Sequence, residues 1–164
     1  MKLINKYICL VGMICLFASC STDPETEIAE SVNLESHFDT TQDQVFANEV
    51  LDIVNDHRAN LGLSDLELHV ESKNKAVEHT AYMVNQNKMS HDNFFQRSDY
   101  LKSKGADFVS ENVAYGQRSP EAVVAAWLKS PTHKEAIESD YTHTGIGVIA
   151  NKSGINYYTQ IFIK

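Results

Sequence analysis

The chain has 164 residues, enough for one domain with a core of its own and too few for two. Its 43% hydrophobic and 22% charged content excludes general disorder. A formal charge of −8 excludes nucleic acid as a partner, because phosphate contact needs basic patches.

The N-terminal segment is read apart from the rest. Lys2 and Lys6 precede an apolar run, Ile8 to Phe17, which meets Ala18-Ser19-Cys20. A basic start, an apolar stretch too short to span a bilayer and a small-residue processing site are the parts of an export signal over residues 1–20. The site resembles a bacterial lipobox, with Phe17 where Leu is usual, and implies acyl chains on Cys20 that hold the domain on a membrane without a spanning helix. Plain secretion with cleavage nearby is the alternative. Ser21 stands where an inner-membrane retention signal would carry Asp, so the expected location is the outer membrane or cell surface. Cys9 and Cys15 lie in the removed segment, which leaves no disulfide, thiolate nucleophile or cysteine metal site in the mature domain. Processing also leaves 12 basic against 22 acidic residues, a formal charge of −10.

Residues 21–42 are polar and acidic and read as a solvated tether. From Asp43 the pattern turns helical, with Phe46, Val50, Ile53, Val54 and Leu61 at helical spacing and Gly62 as a C-cap. His57 and Arg58 near its end suit the helix dipole, and His57 is read as structural. Leu63, Leu66 and Leu68 form a short apolar connector. A second helix is expected over Val70 to Asn87, with Val77, Ala81 and Val84 buried and His79 on the far side of Val77. Met89-Ser90-His91 follows in a loop, then a short helix from Arg97 to Lys104 closed by Gly105.

Phe108 to Ala114 reads as an extended segment that carries Glu111, a carboxylate that needs a partner if buried. Ser119-Pro120-Glu121 is a strong helix start, and Val123, Val124, Trp127 and Leu128 give that helix its buried face. Ser130-Pro131 repeats the signal for a second short helix through Ile137. His133 falls in its first turn, where the helix dipole disfavours the imidazolium. Gly145 to Ala150 and Ile155 to Ile163 form a closing hairpin around Asn151-Lys152-Ser153-Gly154. Large groups on both faces of the last strand make it a central one, and helices before and between the strands imply layers on a small sheet.

Several motifs in this order resemble the CAP superfamily (cysteine-rich secretory proteins, antigen 5 and pathogenesis-related proteins), in its short bacterial branch. They are Asn55-Asp56-His57-Arg58, Met89-Ser90-His91, Arg97, Glu111-Asn112-Val113-Ala114-x-Gly116, Trp127-x-x-Ser130-Pro131-x-His133, His143-x-Gly145-Ile146-Gly147 and Tyr158-Thr159-Gln160. The resemblance covers residues 43–164 and implies a single α+β domain, a three-layer α-β-α sandwich. It also implies a cleft of two histidines and two glutamates that binds a divalent cation in some members. His91 matches the first family histidine and Glu111 the first glutamate. The second glutamate falls on Ser130, and the second histidine on His133 or His143. Arg97, Asn112, Ser130 and Gln160 are the expected supporting residues.

Three imidazoles and one carboxylate, His91, Glu111, His133 and His143, can hold zinc or calcium with an open position, although their spacing is far longer than that of a readable zinc motif. Two functions of different class follow. One is a lipid-anchored binding module for a cation, a lipid or a cell-envelope ligand, which the resemblance favours. The other is a peptidase-like hydrolase of envelope polymers or proteins, using the same four residues through an activated water or Glu–His acid–base work. A third reading gives the polar cluster a purely structural role.

Overall fold

The computed structural model describes residues 41–164, with side chains from Asp43 onward. The signal segment, Cys20 and the tether up to residue 40 lie outside the described residues. Helix α1 (Thr41–Asn60) begins two residues ahead of the expected domain start and buries Ala47, Val50, Val54 and Arg58. Leu61 falls past its end and is exposed. Strand β1 (Glu67–Leu68) runs parallel to β3 (His143–Ala150), where the sequence suggests only an apolar connector. Helix α2 (Val70–Gln86) and helix α3 (Phe94–Ser103) precede strand β2 (Val109–Tyr115). Helices α4 (Pro120–Lys129) and α5 (Pro131–Glu138) then lead into β3 and β4 (Asn156–Ile163).

The sheet order is β1-β3-β4-β2, and β4 is antiparallel to both of its neighbours. Tyr157 to Ile163 are all buried, as a strand covered on both faces requires. One face carries Ile146, Val148, Tyr158, Phe162 and Ala114 against α1, α4 and α5 in the main apolar core. The other face packs on α2 and α3, so the α-β-α sandwich has the three expected layers.

The α2 layer departs from the simple apolar reading. Its buried stripe is Ser72, Ala76, His79, Thr80 and Met83, with Val77, Ala81 and Val84 only half-buried. Two glycines explain the shift. A Cβ at Gly145 would stand 2.0 Å from the Lys73 backbone nitrogen, and one at Gly147 would stand 2.6 Å from the Ala76 carbonyl carbon. Helix and strand backbones therefore touch, and only small or hydrogen-bonded side chains fit between them. Thr80 accordingly donates to the Ala76 carbonyl at 2.8 Å and meets Thr159 Oγ1 at 2.8 Å.

The helix ends follow local chemistry. Ser119 caps α4 by accepting from Ala122 N at 3.2 Å, and Pro120 occupies the first turn. Arg58, buried at the end of α1, donates to the carbonyls of Ser64, Ile137, Ser139 and Tyr141, which ties α1 to the segment after α5. His57 pairs with Glu138 at 2.8 Å, a structural contact. The β2 edge is partly covered: Trp127 Nε1 donates to the Val113 carbonyl at 3.2 Å, and Asn112 Nδ2 donates to the His133 carbonyl at 3.0 Å.

Candidate functional site

The site is built around Glu111 on β2. Strand alternation turns Glu111 toward the α2–α3 layer, and its side chain is 1% exposed. A carboxylate buried so deeply must be matched. Arg97 of α3 grips it with two nitrogens, Nε to Oε2 at 2.9 Å and Nη2 to Oε1 at 2.8 Å. His91 Nδ1 lies 2.9 Å from Oε1, and His79 of α2 stands 3.9 Å from the same oxygen. Burial alone would push the Glu111 carboxyl up. The hydrogen bonds from His91 and Arg97, with the charges of Arg97 and His79, outweigh burial and hold it below the usual carboxylate range.

The same groups fix the loop that carries His91. His79 donates its Nε2–H to the Ser90 carbonyl at 2.7 Å, and Arg97 Nη1 donates to the Asp92 carbonyl at 2.7 Å. The backbone is thus tied down on each side of His91. An ionised carboxylate only accepts, so His91 donates to it from Nδ1. The His91 side chain is 51% exposed while its carboxylate partner is buried, so this ring is the cluster's most exposed member. Burial holds His79 below the ordinary histidine value; Glu111 and the Ser90 carbonyl oppose that shift, and the charges of Arg97 and His91 reinforce it.

His133, half-buried in the first turn of α5, lies near enough to His91 to feel its charge. Its imidazole titrates below the usual value because of burial first and His91 second. The direction matches the neutral ring expected at a helix start, while the cause is desolvation and a neighbouring imidazole.

His143 does not join this group. It opens β3 in register with Ile163 of β4, and β4 separates β3 from β2. Its ring nitrogens face Thr142 Oγ1 at 2.8 Å and Glu67 at 3.8 Å, toward the β1 edge. Of the four expected residues the structure sets His91 against Glu111 and His133 within electrostatic reach of His91, while His143 stands apart; Arg97 and His79 complete the group around Glu111.

The supporting residues divide in the same way. Arg97 is a member of the cluster itself. Asn112 faces away from Glu111 and holds the His133 backbone. Ser130 bonds Thr132 at 3.3 Å and supplies no carboxylate. Gln160, fully buried, donates to Thr144 Oγ1 at 3.3 Å on the opposite face of the sheet. His79 is the member that sequence reasoning sets aside. Its signal is its spacing from Ser72, Ala76 and Met83, residues on the buried stripe.

The donor set does not fit a zinc or calcium centre. Zinc sites take at least three protein donors, and calcium takes oxygens. Both Glu111 oxygens already serve Arg97, whose positive charge sits where a cation would need its absence. His91 and His133 remain, and no group of three or more His, Cys, Asp or Glu able to hold a metal occurs among the described residues. Among the described residues no partnered nucleophile joins the cluster: Ser90 Oγ accepts from Asp92 N at 3.4 Å and bonds no imidazole. Ser72, His69 and Glu71 do line up as a Ser–His–Glu string, but Ser72 is fully buried and His69 Nδ1 caps α2. That string is a helix start.

A three-layer α-β-α module with an exposed histidine over a buried Glu–Arg pair is the class that these observations define. The model of the CAP family (cysteine-rich secretory protein family) matches residues 51–162, and the chain belongs to that family. The uncharacterized membrane protein YlbC of Bacillus subtilis (strain 168) is 36% identical over 121 residues, 71% of this chain and 34% of that protein. The uncharacterized protein YkwD of the same organism is 30% identical over 123 residues, 72% of this chain and 47% of that protein. The chain thus matches less than half the length of either relative. Among solved structures, an outer surface protein from Borrelia burgdorferi has a TM-score of 0.67 at 24% identity, covering 77% of this chain and 95% of that one. An extracellular SCP-domain protein from Bacillus anthracis has a TM-score of 0.66 at 25% identity, covering 74% of this chain and 41% of that one.

Proposed function

We propose that the protein is an extracytoplasmic binding module, tethered through lipid on Cys20, whose His91–His133 opening takes a polar ligand of the cell envelope. The observation that carries this reading is the division of the cluster. Glu111, Arg97 and His79 are buried and bonded to one another or to the 90–92 loop, while the His91 ring is exposed on a loop whose backbone is tied down on both sides. Rigid polar groups at an opening favour binding because little ordering is left to be done when the ligand arrives. A cation is disfavoured by Arg97. A lipid tail is disfavoured by the polar character of His91 and His133. The surface location is supported by its relatives, which include a membrane protein and an extracellular protein.

Hydrolysis is the second reading, favoured by the His91–Glu111 contact at 2.9 Å, which has the geometry of a base and its orienting carboxylate. Arg97 weakens it, because a carboxylate already neutralised by a guanidinium stabilises a protonated histidine less. Titration with soluble peptidoglycan fragments, followed by chromatography of the same mixtures, separates the two. Binding without cleavage, weakened at least tenfold by His91→Gln or His133→Gln, supports the module. Turnover abolished by His91→Gln supports the hydrolase. Absent binding, or binding indifferent to both substitutions, contradicts both readings.

A further inference from the structure

A recess lies beside the same buried cluster, lined in part by His79 and Arg97. A groove of about 380 Å³ runs between α2 and α3, and its lining includes neither His91 nor His133. That volume lies within the range of small-ligand sites. His79 and Arg97 contribute to it, and both are immobilised by their bonds to the 90–92 loop and Glu111. Part of the lining is therefore rigid before any ligand arrives.

Two tyrosines contribute from opposite helices. Tyr82 of α2 is nearly parallel to the His79 ring, with an interplanar angle of 15° and centroids 5.9 Å apart, and its hydroxyl meets Asp92 at 3.2 Å. Tyr100 of α3 is 38% exposed. Lys75 and Lys104 approach its ring at 4.4 and 5.6 Å, weak contacts at an exposed site that a ligand could displace. Asn93 and Gln96, both exposed, complete the lining with side-chain amides that make no hydrogen bond among the described residues. Asn93 is the more telling of the two. It occupies the N-cap of α3 with φ of 60°, yet its side chain does not cap the helix.

The charges point to the ligand class. Lys75 is paired with Glu78 at 2.7 Å and Arg97 with Glu111, so the groove offers no unmatched charge to an ion. Arg97 uses three of its five N–H donors on Glu111 and Asp92, which leaves donors for a neutral oxygen. Aromatic faces beside amides that both donate and accept suit hydroxyl-bearing rings. We infer that the α2–α3 groove is a binding site for a neutral saccharide, separate from the His91–His133 opening.

The experiment titrates the full chain with cellobiose and N,N′-diacetylchitobiose, using calorimetry and saturation-transfer NMR. The expected dissociation constant is on the order of a millimolar and insensitive to salt, since no ion pair forms. Tyr100→Ala and Gln96→Ala each weaken binding at least tenfold with the melting temperature retained; both positions are on the helix surface, so one variant stands if the other folds poorly. Three results overturn the proposal. They are no binding of either sugar, binding unchanged in both variants, and binding that disappears with added salt. Sugar binding lost in His91→Gln but kept in Tyr100→Ala would also overturn it, by moving the saccharide to the other opening.

Discussion

Glu111 shows how a residue can be central to a site and still be a poor probe of it. Its carboxylate balances a guanidinium that is itself 9% exposed, so Glu111→Gln strands a buried positive charge and is expected to cost about 3–5 kcal/mol. Lost function in that variant would report lost folding. His91, half in solvent, is the cleaner handle, and His91→Gln is expected to cost less than about 1 kcal/mol in urea unfolding. The histidines also set a pH signature. Burial holds His79 and His133 below the ordinary value of 6.5, so the unfolded chain takes up protons that the folded chain refuses. Stability therefore falls as pH drops from about 7 through 6.5 toward the folded values, and His79→Gln should flatten that slope in unfolding measured from pH 7 to 5. Glu111 acts in a lower window. Its folded value lies below the ordinary 4.5, so its contribution is present above 4.5 and is lost as pH falls through the folded value. A slope between pH 7 and 5 unchanged by His79→Gln would contradict the assignment.

At the scale of elements, legibility follows locality. Ser119-Pro120 announces α4 because capping and a proline φ are written within three residues. The closing hairpin is legible from its turn, and β4 from large groups on both faces. Strand β1 escapes a sequence reading because two residues carry no periodicity and gain strand geometry only by pairing with β3, some seventy-five positions later. The α2 stripe is misread for a related reason. Valine spacing suggests Val77 and Val84, whereas the buried face is chosen by Gly145 and Gly147 of a distant strand. That contact gives its own prediction. Gly145→Ala places a methyl group 2.0 Å from backbone nitrogen and should cost about 1–3 kcal/mol by the usual scale of overpacking, toward the upper end here because backbone must move. A thermal melt within about 1 °C of wild type, well under the shift for 1 kcal/mol, would refute the close approach. The motif order groups His143 with the cleft because it leaves two positions for one histidine; only the strand order shows that it faces the other edge.

At the scale of the whole molecule, the family and the three layers are legible because seven motifs in one order leave little freedom, and the composition of the cluster is half legible. His91, Glu111 and Arg97 come from motif positions, while the buried role of His79 depends on packing. No helix among the described residues is long and apolar enough to cross a membrane, so membrane attachment rests on Cys20 in the proposed account. Cys20→Ala should abolish palmitate labelling and shift the protein from the detergent phase to the aqueous phase in Triton X-114 partition; retention in the detergent phase would reject the anchor. Metal should leave the domain indifferent. Calorimetry with zinc or calcium at micromolar concentration is expected to show no stoichiometric uptake, and uptake abolished by His91→Gln would overturn the reading of the donor set.

The account depends most on the separation of a buried, mutually neutralising pair from an open imidazole that leans on it. Double-mutant cycles by urea unfolding test this directly, with Arg97→Met, Glu111→Gln, His91→Gln and the two doubles that share Glu111. The predicted coupling is about 2–3 kcal/mol between Glu111 and Arg97 and below about 1 kcal/mol between Glu111 and His91. Equal couplings, or the larger one at His91, would contradict it.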